Sequence, residues 1–238
     1  MKRICWSLTI LWLTVLLRAD VIITPRAPEP SEPEKQFQFE LWEGMEVRLK
    51  EADVTVQITP DDTGKDLIAT VVCTFLLEPQ QLAGGNEVTI GFPIAPNNPK
   101  PGTLQSFRVF VNGVEEQDLE PMVWKKPRTG IKSAAFFGYQ WPLDMTTGIP
   151  VRLRVEYTLT LQAIRKRAEF DYLLTSGAMW SGTIGRERIE IRCSDRLKLE
   201  IRSPKASAPQ RFSAQEIVWD FRDFEPTEDI QISIVLIE

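Results

Sequence analysis

Histidine is absent from all 238 residues. That removes Ser-His-Asp and Cys-His catalysis, histidine proton transfer and nearly every catalytic zinc site. Carboxylates, lysine, tyrosine or a bound cofactor would have to do any chemistry. Two acidic groupings qualify. Asp61 and Asp62 lie in PDDTGKD, which lacks the spaced D-x-D-x-D-G ligands and closing glutamate of a calcium loop and reads as a hairpin turn. Asp220, Asp223, Glu225, Glu228 and Asp229 crowd near the C-terminus. They offer a calcium site or a carboxylate pair for glycoside hydrolysis, against the commoner fate of a charge run, a solvated turn. The reading assigns no catalytic residue, no metal ligand and no cofactor.

Binding chemistry is centred on residues 170–192, FDYLLTSGAMWSGTIGRERIEIR. Gly177, Gly182 and Gly185 would let backbone N–H groups approach a ligand, and Trp180 would offer a flat stacking face. The plainer reading is a long hairpin connection whose tryptophan plugs one end of a sandwich. The spacing does not make a phosphate loop, and no helix pattern follows it. Tyr139 and Trp141, in an aromatic stretch with Phe136 and Phe137, are further candidates for a binding surface, as is Trp124. The candidate ligand-binding set is therefore Trp180, Gly177, Gly182, Tyr139 and Trp141.

The composition is 43% hydrophobic and 26% charged, with a net charge of −5. No basic stripe exists to neutralise phosphates, so nucleic acid is not an expected partner. The short run Arg165, Lys166, Arg167 reads as a solvated strand end. Lys2 and Arg3 precede a mostly apolar run over residues 4–17, and Ala19 offers a small residue before Asp20. This pattern predicts a signal peptide over residues 1–19, and hence a secreted or periplasmic protein. The run is short for a membrane span, so the membrane enters only if this segment stays uncleaved. Beyond it remain Cys73 and Cys193, each on the apolar side of an alternating strand. An oxidising compartment permits a disulfide between them; two buried thiols are the alternative.

Those residues are positioned by strands. Residues 20–35 carry four prolines and predict a stiff, disordered linker. From residue 36 the dominant period is two. It is strictest over residues 149–161, where Ile149, Val151, Leu153, Val155, Tyr157, Leu159 and Leu161 alternate with proline, charge or threonine. Asn112 and Gly113 predict a type I′ hairpin turn. A short helix over residues 115–120 is the best helical candidate. The pattern predicts an all-β protein of antiparallel β-sandwich type. The irregular residues 121–148 suggest a boundary, giving two packed sandwich domains, 36–125 and 126–238. A single elongated sandwich is the alternative.

Tyr172, Leu174, Ser176, Gly177, Trp180, Gly182 and Ile184 form a Y-x-L-x-[TS]-G-x-x-W-x-G-x-I pattern, although Thr175 and Ser176 here make T-S-G of the usual T-G pair. Trp219, Phe221, Phe224, Pro226, Asp229 and Ile230 form W-x-F-x-x-F-x-P-x-x-D-I. With these the chain resembles a family of exported bacterial proteins known as a domain of unknown function. The strand end before Pro93 also resembles the vault/inter-alpha-trypsin type of β domain. The first resemblance implies export and β architecture but no mechanism. The expected function is a non-enzymatic extracytoplasmic binding or assembly module. Its partner would be protein, glycan or cell-envelope polymer. The alternative is a carboxylate-dependent hydrolase acting on polysaccharide.

Overall fold

The computed structural model describes residues 22–24, 46–81, 87–96, 103–126, 134–174, 180–203 and 208–237. The expected signal peptide, most of the linker, Gly177 and the alternating Phe37, Phe39 and Leu41 lie outside them. In chain order the strands are β1 (Ile22–Thr24), β2 (Glu46–Pro60), β3 (Leu67–Gln81), β4 (Glu87–Pro96), β5 (Leu104–Val111), β6 (Val114–Glu115), β7 (Glu120–Lys126) and β8 (Ala134–Asp144). There follow β9 (Val151–Leu161), β10 (Arg167–Tyr172), β11 (Ile184–Cys193), β12 (Leu197–Ser203), β13 (Arg211–Phe212), β14 (Glu216–Phe224) and β15 (Ile230–Leu236).

The period-two segments form the predicted strands. Their inward positions build an eight-stranded sheet in the order β13-β14-β11-β2-β3-β9-β5-β6. On β3, Leu67, Ala69, Val71, Cys73, Phe75 and Leu77 are fully buried, and each intervening residue is more exposed. Burying one such side chain stabilises by about 1.5–3 kcal/mol, so the alternation fixes which face turns inward. Two smaller sheets cover that face, β1-β4-β8-β7 and β10-β15-β12. The first packs over β3, β9 and β5, where Phe92 meets Phe75, Phe107 and Tyr157 at ring separations of 6.5, 6.0 and 5.6 Å. The second lies against β11, whose buried Glu187 accepts a hydrogen bond from the Tyr172 hydroxyl of β10 at 3.3 Å. The architecture is all-β, with sheets layered as a sandwich and antiparallel at every described pairing except that of β2 with β11.

Several expectations need correction. The proposed division at residue 125 falls within β7, which pairs with β8 beyond it. β9 enters between β3 and β5, and β11 pairs in parallel with β2 from Arg186↔Glu51 to Cys193↔Ile58. One sheet and one continuous core therefore run through both halves. β8 occupies the stretch read as irregular. Its Pro142 is tolerated because β7 ends opposite Gln140, so no ladder bond is required of Pro142 on that side. Residues 115–120 form no helix. The Glu116 N–H donates to the Val109 carbonyl, and the Glu116 carboxylate accepts from the backbone N–H groups of Gln117 and Asp118. Ile149 lies outside β9 and is exposed.

Ile22–Thr24, assigned to the linker, is a strand paired with β4. Residues 25–45 therefore join two strands of the fold and do not hold it at a distance from residue 22. Two hairpin turns each place two consecutive residues in the left-handed region. Asn112 (φ 49°) and Gly113 (φ 87°) make the predicted turn. Arg165 (φ 51°) and Lys166 (φ 65°) adopt similar torsions without glycine, a conformation that costs about 1–3 kcal/mol per residue. Ile164 and Arg167 close that turn with reciprocal backbone hydrogen bonds of 2.8 and 3.1 Å.

Candidate functional site

The residues expected to bind a ligand are largely built into the frame. Trp180 and Trp141 are buried, so neither presents a ring face for stacking. The Ser181 N–H donates to the Val47 carbonyl at 3.0 Å, which ties the connection after Trp180 to the start of β2. Gly182 adopts φ 70°, and a Cβ on Gly185 would lie 2.5 Å from the Lys50 carbonyl oxygen. Lys50 is at the register shift between Leu49 and Glu51, and Gly185 is where β11 presses against it. These two glycines serve chain geometry and close backbone approach. Tyr139 is half-buried, stacked on Phe107 at 4.5 Å and 17° and set edge-on to Phe137. Among the described residues no ring contact joins Trp180, Trp141 and Tyr139 into one surface.

The cysteines are separate buried thiols. Cys193 pairs with Ile58, Ile58 with Ala69, and Cys73 lies four residues further along β3. Strand rise and spacing place them about 16 Å apart, against the ~7 Å limit for Cα atoms in a disulfide. The permitted disulfide is therefore excluded by register. Burial pushes the Cys193 thiol up to about 11.

Three of the acidic residues, Asp61, Asp220 and Glu228, are engaged in structural contacts. Asp61 accepts from the Thr63 hydroxyl and from the backbone N–H groups of Lys65 and Asp66, closing the hairpin turn. Burial pushes its carboxyl up, but those hydrogen bonds outweigh it and leave it below its ordinary range. Asp220 takes a two-pronged contact from Arg186 at 3.4 and 3.2 Å, with Arg222 at 3.7 Å. The Arg186 hydrogen bond holds the Asp220 carboxyl below its ordinary range. A glycosidase acid needs the opposite shift. Glu228 accepts from the Ser203 hydroxyl.

The other side of the long sheet has a different character. Strand register places its outward residues in rows. One runs Asp220, Arg188, Asp53, Thr74, Arg154, Phe110, and the next runs Glu190, Thr55, Val72, Glu156, Arg108, with the buried Val218 beside Glu190. On one flank Glu190 joins Arg188 at 2.7 Å and Arg192 at 2.5 Å, and Arg192 reaches Glu216 at 3.0 Å. The Arg188 hydrogen bond leads the depression of the Glu190 carboxyl. On the other flank Arg108 binds Glu115 through two nitrogens, Glu156 pairs with Arg154, and Phe110 has the Arg108 and Arg154 guanidinium groups 4.8 and 5.5 Å from its ring centre.

Between the flanks runs a neutral band. Ile68, Val72 and Leu76 on β3 are half-exposed, with Thr55 and Thr70 exposed beside them and Thr74 and Thr158 half-exposed. The sequence carries this surface in the even positions of GRERIEIR and in the threonines of β2, β3 and β9. It is missed when attention stays on the inward, apolar positions. A separate cleft of about 250 Å³ at the hairpin ends is lined by Gly64, Lys65, Ala163, Lys166, Leu236 and Ile237.

No family model matches the chain, and no curated protein matches it. Solved structures do. A "putative nutrient binding protein" of Legionella pneumophila superposes with a TM-score of 0.57 at 15% identity, over 81% of this chain and 71% of that one. The chain shares its fold with that protein. An M1 zinc metallopeptidase of Deinococcus radiodurans bound to Tyr-Ser-Ala aligns at a TM-score of 0.40 and 9% identity, over 80% of this chain and 42% of that chain. Leukotriene A4 hydrolase of Saccharomyces cerevisiae aligns at 0.37 and 8%, over 88% and 32%. The chain spans less than half the length of these two enzymes.

Proposed function

We propose that the protein is a non-enzymatic extracytoplasmic binding or assembly module that docks its partner on the outer face of the eight-stranded sheet. The carrying observation is the neutral band of partly exposed Ile68, Val72 and Leu76 with neighbouring threonines, set between two self-paired charge lattices. The acids and arginines on the flanks already satisfy one another and add little net attraction for a charged ligand. The band supplies apolar contact and hydroxyl groups over a flat area. That combination suits an uncharged patch on a protein, a glycan or a cell-envelope polymer. The fold shared with the Legionella "putative nutrient binding protein" and the resemblance to an exported bacterial family support the same reading.

The test uses the full chain on a broad glycan array, on purified peptidoglycan sacculi, and in crosslinking to envelope proteins from the source cells. Val72→Lys is expected to abolish retention that the unaltered chain shows. Turnover of a polysaccharide that is lost on substitution of Asp220, Asp223 or Glu225 would instead establish the hydrolase.

A further inference from the structure

We infer that the edge of β4 opposite β8, where β1 is paired, is a strand-acceptor slot, and that two copies of this chain exchange β1 through it. This surface is distinct from the outer sheet face, so its failure leaves the binding proposal standing.

Pairing along the two edges of β4 is unequal. On one side β8 pairs with it from Glu87 to Pro96. On the other side β1 covers only Thr89, Ile90 and Gly91. Pro93 and Pro96 have no N–H to offer, so the distal part of the edge is closed to strand addition. β1 occupies the stretch before Pro93, and among the described strands Glu87, Val88 and Phe92 have no partner on that side. Beneath it Ile90 and Phe92 are fully buried and belong to the central core. A bare edge here would expose the backbone of a core strand, which invites pairing with another chain.

The occupant suits exchange. β1 is three β-branched residues, Ile22, Ile23 and Thr24, held by three register pairs. It connects to β2 through residues 25–45, a stretch of 21 residues with four prolines. Extended, that length spans up to about 70 Å, enough to reach the same slot on a neighbouring molecule. A reciprocal exchange keeps every pairing and changes only which molecule supplies the strand. A tethered strand has an effective concentration of about millimolar order, so β1 stays at home in dilute protein. Once one strand has crossed, the second exchange is intramolecular, and the exchanged dimer grows as protein accumulates.

Thr24 and Thr89 are partners in the register, so cysteines at the two positions report whether the ladder forms and which chain supplies β1. Full-length T24C/T89C, with Cys5 replaced by serine in every chain used, should crosslink within one chain at micromolar concentration in glutathione buffer. An equimolar mixture of the T24C and T89C single variants should give a disulfide-linked heterodimer. Its fraction should rise roughly tenfold for each tenfold rise in concentration while it is the minor species. Adding Ile23→Pro to the T24C chain should remove it. No heterodimer at the highest concentration, with the internal crosslink present, overturns exchange. No internal crosslink overturns the slot itself. Equal crosslinking of T24C to a cysteine placed at Ser106, on the other sheet, overturns it as mere collision.

Discussion

Val71 and Val72 are neighbours on β3 with the same side chain. Val71 is sealed between the layers at 0% exposure, while Val72 stands half-exposed among threonines on the opposite side. The same division runs through β2, β9 and β11. Inward residues hold the three sheets together. Outward residues are charged in paired lattices at the flanks and neutral in the middle. The fold rests on the first set, and the second faces away from the core.

The largest effect that would sharpen this contrast is on the inward side. Trp219 is among the largest fully buried side chains, and Trp219→Ala should cost about 3–5 kcal/mol in chemical denaturation, from lost burial and the cavity left behind. A loss below about 1 kcal/mol would mean that the core collapses to fill the site. Next comes Gly185→Ala. Its Cβ would meet the Lys50 carbonyl oxygen, a backbone atom that cannot swing aside, so a loss of about 1–3 kcal/mol is expected. An unchanged denaturation midpoint would show that β11 does not press on β2 there.

The outer lattice should matter least. A double-mutant cycle on Arg186→Ala and Asp220→Asn should return a coupling of about 0.2–1 kcal/mol, because the pair is only partly screened from water. The Asp220 and Glu190 carboxyls are held below their ordinary range by Arg186 and Arg188, respectively. Their contribution is therefore complete above the unfolded-state value and is lost as pH falls through the lower folded-state value. The coupling should be constant from pH 7 to about pH 5 and fade below about pH 4. A coupling that persists undiminished at still lower pH would contradict this assignment.

Much of the inner side was legible because burial writes a period of two, as in Val151, Leu153, Val155, Tyr157 and Leu159. β8 was hidden by Gly138 and Pro142, although Tyr139, Trp141 and Leu143 keep the alternation. The parallel contact of β2 with β11 joins residues more than a hundred positions apart, and no local pattern encodes it. That contact turns two expected domains into one sheet. The candidate site was less legible. Trp180 and the glycines drew attention by residue type, yet burial and close packing account for Trp180, Gly182 and Gly185. The threonines of the outer band carry no motif, and only register assembles them.

The most direct measurement compares Val71→Lys with Val72→Lys, by thermal unfolding and by retention on the probe that holds the unaltered chain. Val71→Lys should fail to fold, since an unpaired ammonium in the core costs several kcal/mol. Val72→Lys should change stability by no more than about 0.5 kcal/mol and lose retention. A Val72→Lys protein that unfolds like its neighbour, or that folds and still binds, would contradict the account.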